Sequence, residues 1–278
     1  MQLKEIEKLA ASVMEKAVDA KEVAGVNLLV LKDKAPVLSL QAGYADLENK
    51  VLMADDTIMR LYSMSKPVTA ACMMILMQRG LVDLNDPVSK FIPAFANQTY
   101  VNGNALSLVQ RPMTVHDLLF MTSGLSYGSD SAAGKATSDL FAEMDARLST
   151  KDAMTTREFA DRVGKNPLEF EPSSNFMYGI SADILGALIE VISGMSFAEF
   201  LKKEITDPLE MPDTGFFVPA QKQSRLSKVY ARTENGLTLY TGDHLAIKNK
   251  MDTLPAFQSG GAGLVYIKGL RKFRHHAA

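Results

Sequence analysis

An α+β fold, with an antiparallel sheet flanked by helices and interrupted by an all-helical lobe, follows from three features of this 278-residue sequence. A helical segment and two alternating strand segments open the chain. A run of helical segments, each punctuated by Gly, Pro or Ser, fills its middle. Short strand candidates return in residues 215–278. That order predicts one domain over residues 1–278, with an α/β lobe built from residues 1–62 and 215–278 and a mainly helical lobe over 63–214.

Taking the elements in order, Leu3, Ile6, Leu9, Ala10, Val13, Met14 and Ala17 recur at helical spacing with Lys and Glu between them, predicting an amphipathic surface helix. A secretory leader needs a continuous apolar run instead, and no stretch has the length of a bilayer span, so a cytoplasmic location with no membrane partner is expected. Residues 25–32 and 35–44 read as a hairpin joined at Lys32-Asp33-Lys34. Pro67 is tolerated only in the first turn of a helix, which places a helix start close to Ser63; Gly80 supplies its stop. The body between them is apolar on nearly every side and should be a central, buried element.

Further on, 86–95 reads as a short capped helix or turn and 98–112 as an irregular or hairpin insertion around Asn102-Gly103. Thr114 and Asp117 form a capping-box pattern ahead of another helix. Residues 126–152 are polar and weakly periodic, predicting a mobile excursion with one helix near 138–147. Helices are expected at about 155–165, 179–193 and 196–206, and a tight bend at Ser259-Gly-Gly-Ala-Gly263.

Composition narrows the function. A formal net charge of −2 leaves no footprint for nucleic acid. The terminal basic residues Lys268, Arg271, Lys272 and Arg274 read as a solvated tail. Cys72 is the single cysteine, so no intrachain disulfide or cysteine metal cluster can form, and it reads as a buried small hydrophobe. No metal-ligand spacing or cofactor motif is present.

The chemistry concentrates at Ser63 and Lys66. Three residues apart on a helix, the two side chains share one face. The helix N-terminus favours a developing alkoxide, and a desolvated lysine would lose affinity for its proton, as a general base requires. The bland alternative, an N-cap serine followed by a first-turn lysine, puts a cation at the positive end of a helix dipole.

Ser63-Met-Ser-Lys66-Pro67 and Gly80-Leu-Val-Asp-Leu-Asn-Asp-Pro-Val-Ser-Lys90 resemble the serine β-lactamase and penicillin-binding-protein-like superfamily, above all the class C β-lactamase-like (family VIII) carboxylesterases. Met121-Thr-Ser-Gly-Leu125, Pro172, Tyr178, Leu185-Gly186, the segment 208–216 and Gly260-Gly-Ala-Gly-Leu264 continue the resemblance in consistent order over residues 10–265. It implies a β-lactamase/transpeptidase-like fold and a serine hydrolase that cleaves small esters through an acyl-Ser63 intermediate. Lys66 and Tyr178 would carry protons, no cofactor would be needed, and a small-molecule ester would be the substrate. The alternative for Tyr178 is an aromatic packed at a helix start. Ile180 stands where lactamases and peptidases often have asparagine, which favours an ester over a lactam. Acyl transfer to an alcohol, or lactamase or D-Ala peptidase activity, would use the same residues.

One expected part is missing from the sequence. No Lys-Thr-Gly, His-x-Gly or Trp-x-Gly element follows the Gly-rich segment. The resemblance therefore implies a sheet with an open edge and one oxyanion donor, the Ser63 amide, where the family has two. Three readings stand: a truncated member, an enzyme completed by homodimerisation, or a catalytically silent binding protein. Gly124-Leu-Ser126-Tyr-Gly128 also matches the nucleophile-elbow pattern. It lacks the required strand before and helix after, and only His244, His275 and His276 lie downstream, so it reads as a turn. His116 reads as structural.

Overall fold

The computed structural model describes residues 3–266 apart from 34, 235 and 244–246; His244, His275, His276 and the terminal basic residues lie outside the described residues. Helix α1 (Leu3–Asp19) lies on the hairpin of β1 (Gly25–Lys32) and β2 (Ala35–Asp46), which continues to β3 (Val51–Leu52). The sheet is antiparallel in the order β1-β2-β3, with Lys32 opposite Ala35 across the turn and Tyr44 opposite Leu52. α1 buries Met14 and leaves Leu9 and Val13 exposed, so only part of its apolar stripe is covered. Among the described residues, β1 has no partner on its outer side.

Strand β4 (Met59–Arg60) leads through a 3-10 turn (Tyr62–Met64) into α2 (Ser65–Gln78). Two further 3-10 turns, Val88–Lys90 and Pro93–Phe95, replace the single capped element expected there. Strands β5 (Thr99–Asn102) and β6 (Ala105–Leu108) form an antiparallel hairpin, the regular one of the two forms expected for this insertion. The capping box of Thr114 and Asp117 is fully formed at α3 (Val115–Leu119).

Helix α4 (Ala132–Arg147) departs from the sequence expectation. It begins six residues before the predicted 138, capped by Ser131, and is packed rather than a mobile excursion: Ala133, Gly134, Thr137, Leu140 and Met144 are buried. Small and polar residues make much of that face, which apolar periodicity does not register.

Helices α5 (Thr156–Val163), α6 (Ser181–Ser193) and α7 (Phe197–Leu201, extended by a π turn over Lys202–Thr206) follow. Strands β7 (Tyr230–Thr233) and β8 (Gly236–Leu239) form a hairpin, and β9 (Val265–Tyr266) pairs antiparallel with β4, Arg60 opposite Val265.

The main core forms where α2 meets α6. Val68, Cys72, Met73 and Leu76 join Ile184, Leu185, Leu188 and Ile189 there, each at most 3% exposed. At about 1.5–3 kcal/mol per fully buried large aliphatic side chain, this contact is what fixes the α2 N-terminus in space. One side of α2 escapes it: Met74 is 60% exposed, so the helix is not buried all round. A second cluster, Ile58, Val218, Ile247, Met251, Ala262 and Val265, joins the residue before β4 to the first residue of β9.

Candidate active site

Ser63 lies in the 3-10 turn between β4 and α2, exposed at the surface. Tyr62 precedes it with φ of 46°, a left-handed conformation that costs energy for a bulky residue. Three bonds hold this junction to the chain's later part: Leu61 N donates to Leu264 O at 2.8 Å, Leu264 N to Ser65 Oγ at 3.2 Å, and Thr69 Oγ1 to Gly260 O at 2.7 Å. The Gly-rich segment 259–263 is thus the expected tight bend, and it lies against α2.

Lys66 is half-buried at the centre of the site. Its Nζ donates to Ser63 Oγ at 3.0 Å, to the Tyr127 hydroxyl at 3.1 Å and to Gly261 O at 3.0 Å. The Tyr178 ring centroid is 4.6 Å from the same nitrogen, and the Tyr127 and Tyr178 rings are 6.1 Å apart. Ser63, Lys66 and Tyr178, chosen from sequence, therefore converge. Tyr127 was missed; its only local signal is a place between two glycines in a segment read as a turn.

Gly179 explains how the two tyrosines come together. A Cβ there would lie 1.9 Å from the Leu125 carbonyl oxygen, so only glycine lets the chain after Tyr178 press against the segment leading to Tyr127. Met177 N donates to Met121 O at 2.9 Å on the same seam.

Electrostatics separates the partners. Burial pushes the Lys66 pKa down, but hydrogen bonding to Tyr178 and Tyr127 outweighs it and the net shift is upward. This corrects the expectation of a lysine that gives up its proton easily: several acceptors surround the amine and favour the ammonium. Burial pushes the Tyr178 phenol up, yet hydrogen bonding to Lys66 and Ser63, with the Lys66 charge, brings it below its ordinary value. Tyr127 moves the other way, raised first by burial and then by the Asp183 charge. Of the two phenols, Tyr178 ionises more readily, which suits it to accept a proton beside a fixed cation.

Ser126 is occupied elsewhere. Its hydroxyl donates to Glu169 Oε1 at 2.9 Å, and the same carboxylate accepts from Ser129 at 2.7 Å and Ser131 at 2.7 Å. Its segment lies between the end of α3 and the start of α4, without the strand and helix an elbow needs. His116 stacks on Phe120, ring centroids 4.3 Å apart. Among the described residues, no group of three or more His, Cys, Asp or Glu could hold a metal ion.

A serine-bearing turn, a lysine three residues on and two tyrosines from distant segments meet here, and the family model described as Beta-lactamase matches residues 10–266. The chain belongs to the beta-lactamase family. Within it, the chain is 28% identical over 268 residues to Esterase EstB of Burkholderia gladioli, covering 91% of this chain and 65% of that protein. It is 28% identical over 241 residues to Acyltransferase calJ of Penicillium decumbens, covering 82% of this chain and 54% of that protein. The solved structure of EstCE1, described as a hydrolase with promiscuous acyltransferase activity, superposes with a TM-score of 0.80 at 25% identity, covering 97% of this chain and 72% of that one. The chain thus spans just under two thirds of the Burkholderia relative's length. The beta-lactamase-like fold expected from sequence is the fold observed.

Proposed function

We propose that this chain is a serine hydrolase that cleaves small carboxylic esters through an acyl-Ser63 intermediate. The observation that carries the reading is the Lys66 ammonium, which reaches Ser63 Oγ and Tyr127 OH at once and lies over the Tyr178 ring. The similarity to an esterase supports the choice of ester.

In this mechanism Ser63 Oγ attacks the ester carbonyl carbon while its proton passes to the Tyr178 oxygen, ionised beside Lys66. The carbonyl π electrons move to oxygen, and the Ser63 amide offers that oxyanion a donor. Collapse breaks the bond to the alkoxide, which takes the proton from Tyr178 and leaves as the alcohol. Water then attacks acyl-Ser63 by the same route in reverse order of roles, releasing the acid.

The similarity to an acyltransferase and to a hydrolase with acyltransferase activity supports a second reading, in which an alcohol replaces water at acyl-Ser63. A fluorophosphonate probe and a p-nitrophenyl ester test the first reading. Wild type should label and turn over, and Ser63→Ala should do neither; equal labelling of Ser63→Ala would overturn it. Added alcohols that divert product from acid to new ester would select the second reading. A wild type that neither labels nor turns over would leave a non-catalytic binding role.

A further inference from the structure

We infer that Asp183 is a positioning residue that fixes the Lys66 ammonium through the Gly-rich segment 259–263, an inference that rests on the reading of Ser63, Lys66 and Tyr178 as the reactive centre. Asp183 is in the first turn of α6, where a carboxylate is favoured by the helix dipole, and it is 4% exposed. Its Oδ1 accepts from Ser259 Oγ at 2.6 Å and from Gly261 N at 3.0 Å. Ser259 Oγ in turn accepts from Ala262 N at 3.0 Å, so one carboxylate organises the whole bend. Gly261 then presents its carbonyl to Lys66 Nζ at 3.0 Å. A single glycine residue links the buried carboxylate on α6 to the ammonium on α2.

Two glycines make that link feasible. A Cβ on Gly260 would lie 2.1 Å from Ala182 O, and one on Gly261 would lie 2.9 Å from Asp183 Oδ2. The segment therefore rests directly on the first turn of α6. An acid in this place is an expensive structural choice, because its neighbours Ile180, Ala182, Ile184 and Leu185 are all buried and apolar. Burial raises the Asp183 pKa, while Ser259, Gly261 and the Lys66 charge oppose it; Lys66 on α2 and Tyr127 on the 125–127 segment are the charged and titratable groups that feel it. What the acid secures is geometric. With Gly261 O fixed, Nζ has one direction in which it meets Ser63 and Tyr127 together, and Tyr178 keeps a cation beside it.

The test reads geometry without requiring turnover. Tyrosine labelled with carbon-13 at Cζ is titrated by NMR in the full chain, with Tyr127→Phe and Tyr178→Phe giving the assignments. Fluorophosphonate labelling of Ser63 is the second readout. Asp183→Ala should move the Tyr178 titration up toward the ordinary phenol range and slow labelling tenfold or more. Asp183→Asn keeps a carbonyl acceptor for Ser259 and Gly261 and should hold both readouts within about twofold. Gly261→Ala leaves the carboxylate intact but wedges the bend away from it, and should reproduce the upward move. A folded Asp183→Ala protein with the wild-type Tyr178 titration overturns the inference. If that variant does not fold, an unmoved Tyr178 titration in Gly261→Ala overturns it instead. A wild type that titrates as described yet never labels would sink the hydrolase reading, while the titrations still decide the part played by Asp183.

Discussion

The Tyr127 hydroxyl accepts from Lys66 across 3.1 Å, joining two residues 61 positions apart in the chain. This contact gives the ammonium a partner that neither belongs to α2 nor titrates readily, since burial and the Asp183 charge hold the Tyr127 phenol up. Tyr127 is a fixed acceptor, and Tyr178 is the phenol whose pKa lies below its ordinary value.

Removing that acceptor should cost activity and little else. Tyr127→Phe keeps the ring contacts to Phe141 and Tyr178 and deletes one hydrogen bond to a charged group. Fluorophosphonate labelling should slow about tenfold, the equivalent of roughly 1.4 kcal/mol. The urea midpoint should stay close to wild type. A labelling rate within twofold of wild type would remove Tyr127 from the site's working parts.

The pH dependence follows from Tyr178. Its pKa is below the ordinary phenol value because hydrogen bonding and charge from Lys66 and hydrogen bonding from Ser63 outweigh burial. Labelling should rise with pH as Tyr178 ionises and level off below the ordinary phenol pKa of about 10. Lys66→Met removes the cation and leaves the burial, so the rising limb should move to higher pH. Rate against pH measured on both proteins checks this; an unshifted limb in Lys66→Met would assign the ionisation to another group.

How much of this was legible in the sequence depended on range. Ser63 and Lys66 were readable because Pro67 fixes a helix start and three residues make one face. The hairpin of β1 and β2 and the Thr114 cap were readable for the same reason: the signals lie within a few residues of one another. Tyr178 was placed by resemblance, since its position relative to Ser63 is set by tertiary packing. Tyr127 carried no signal of its own, because its meaning arises only when Gly179 lets two distant segments touch. The direction of the Lys66 shift was misread for that reason. Burial alone predicts a lowered pKa, and the phenols that reverse it come from elsewhere in the chain. Helix α4 was half missed because Ala133, Gly134 and Thr137 pack by smallness, not by hydrophobicity.

Asp117 offers a test of stability away from the site. Its fully buried carboxylate accepts from Arg111 at 2.7 and 2.8 Å and from the Thr114 amide and hydroxyl at 2.9 Å each. Burial pushes its pKa up, but the bonds from Arg111 and Thr114 bring it below the ordinary carboxylate value. A depressed folded-state pKa adds stability that is fully present above the unfolded value and is lost as pH falls through the folded one. Asp117→Asn should cost about 2 kcal/mol at neutral pH, a figure tempered by the partial exposure of Arg111. Urea unfolding should show that difference unchanged down to about pH 5 and shrinking only below about pH 4. A difference that closes between neutrality and pH 5 would mean that the carboxylate is not held ionised by its partners.

Gly179→Ala puts the seam between the tyrosines to the most direct trial. The added Cβ would lie 1.9 Å from Leu125 O, 2.9 Å from Leu125 C and 3.1 Å from Ser126 Cα, all main-chain atoms. No side-chain rotation relieves such a contact, so the 125–127 segment has to retreat from residues 178–179. The cost should be on the order of 2–4 kcal/mol of stability, and labelling of Ser63 should fall with it because Tyr127 and Tyr178 part. Gly215→Ala serves as the comparison, since the nearest atom to its new Cβ is Phe217 O at 4.0 Å. It should change stability by no more than about 0.5 kcal/mol. Urea midpoints and probe labelling on the two variants separate the outcomes: if Gly179→Ala matches Gly215→Ala in both, the close approach at Leu125 is not what assembles the site.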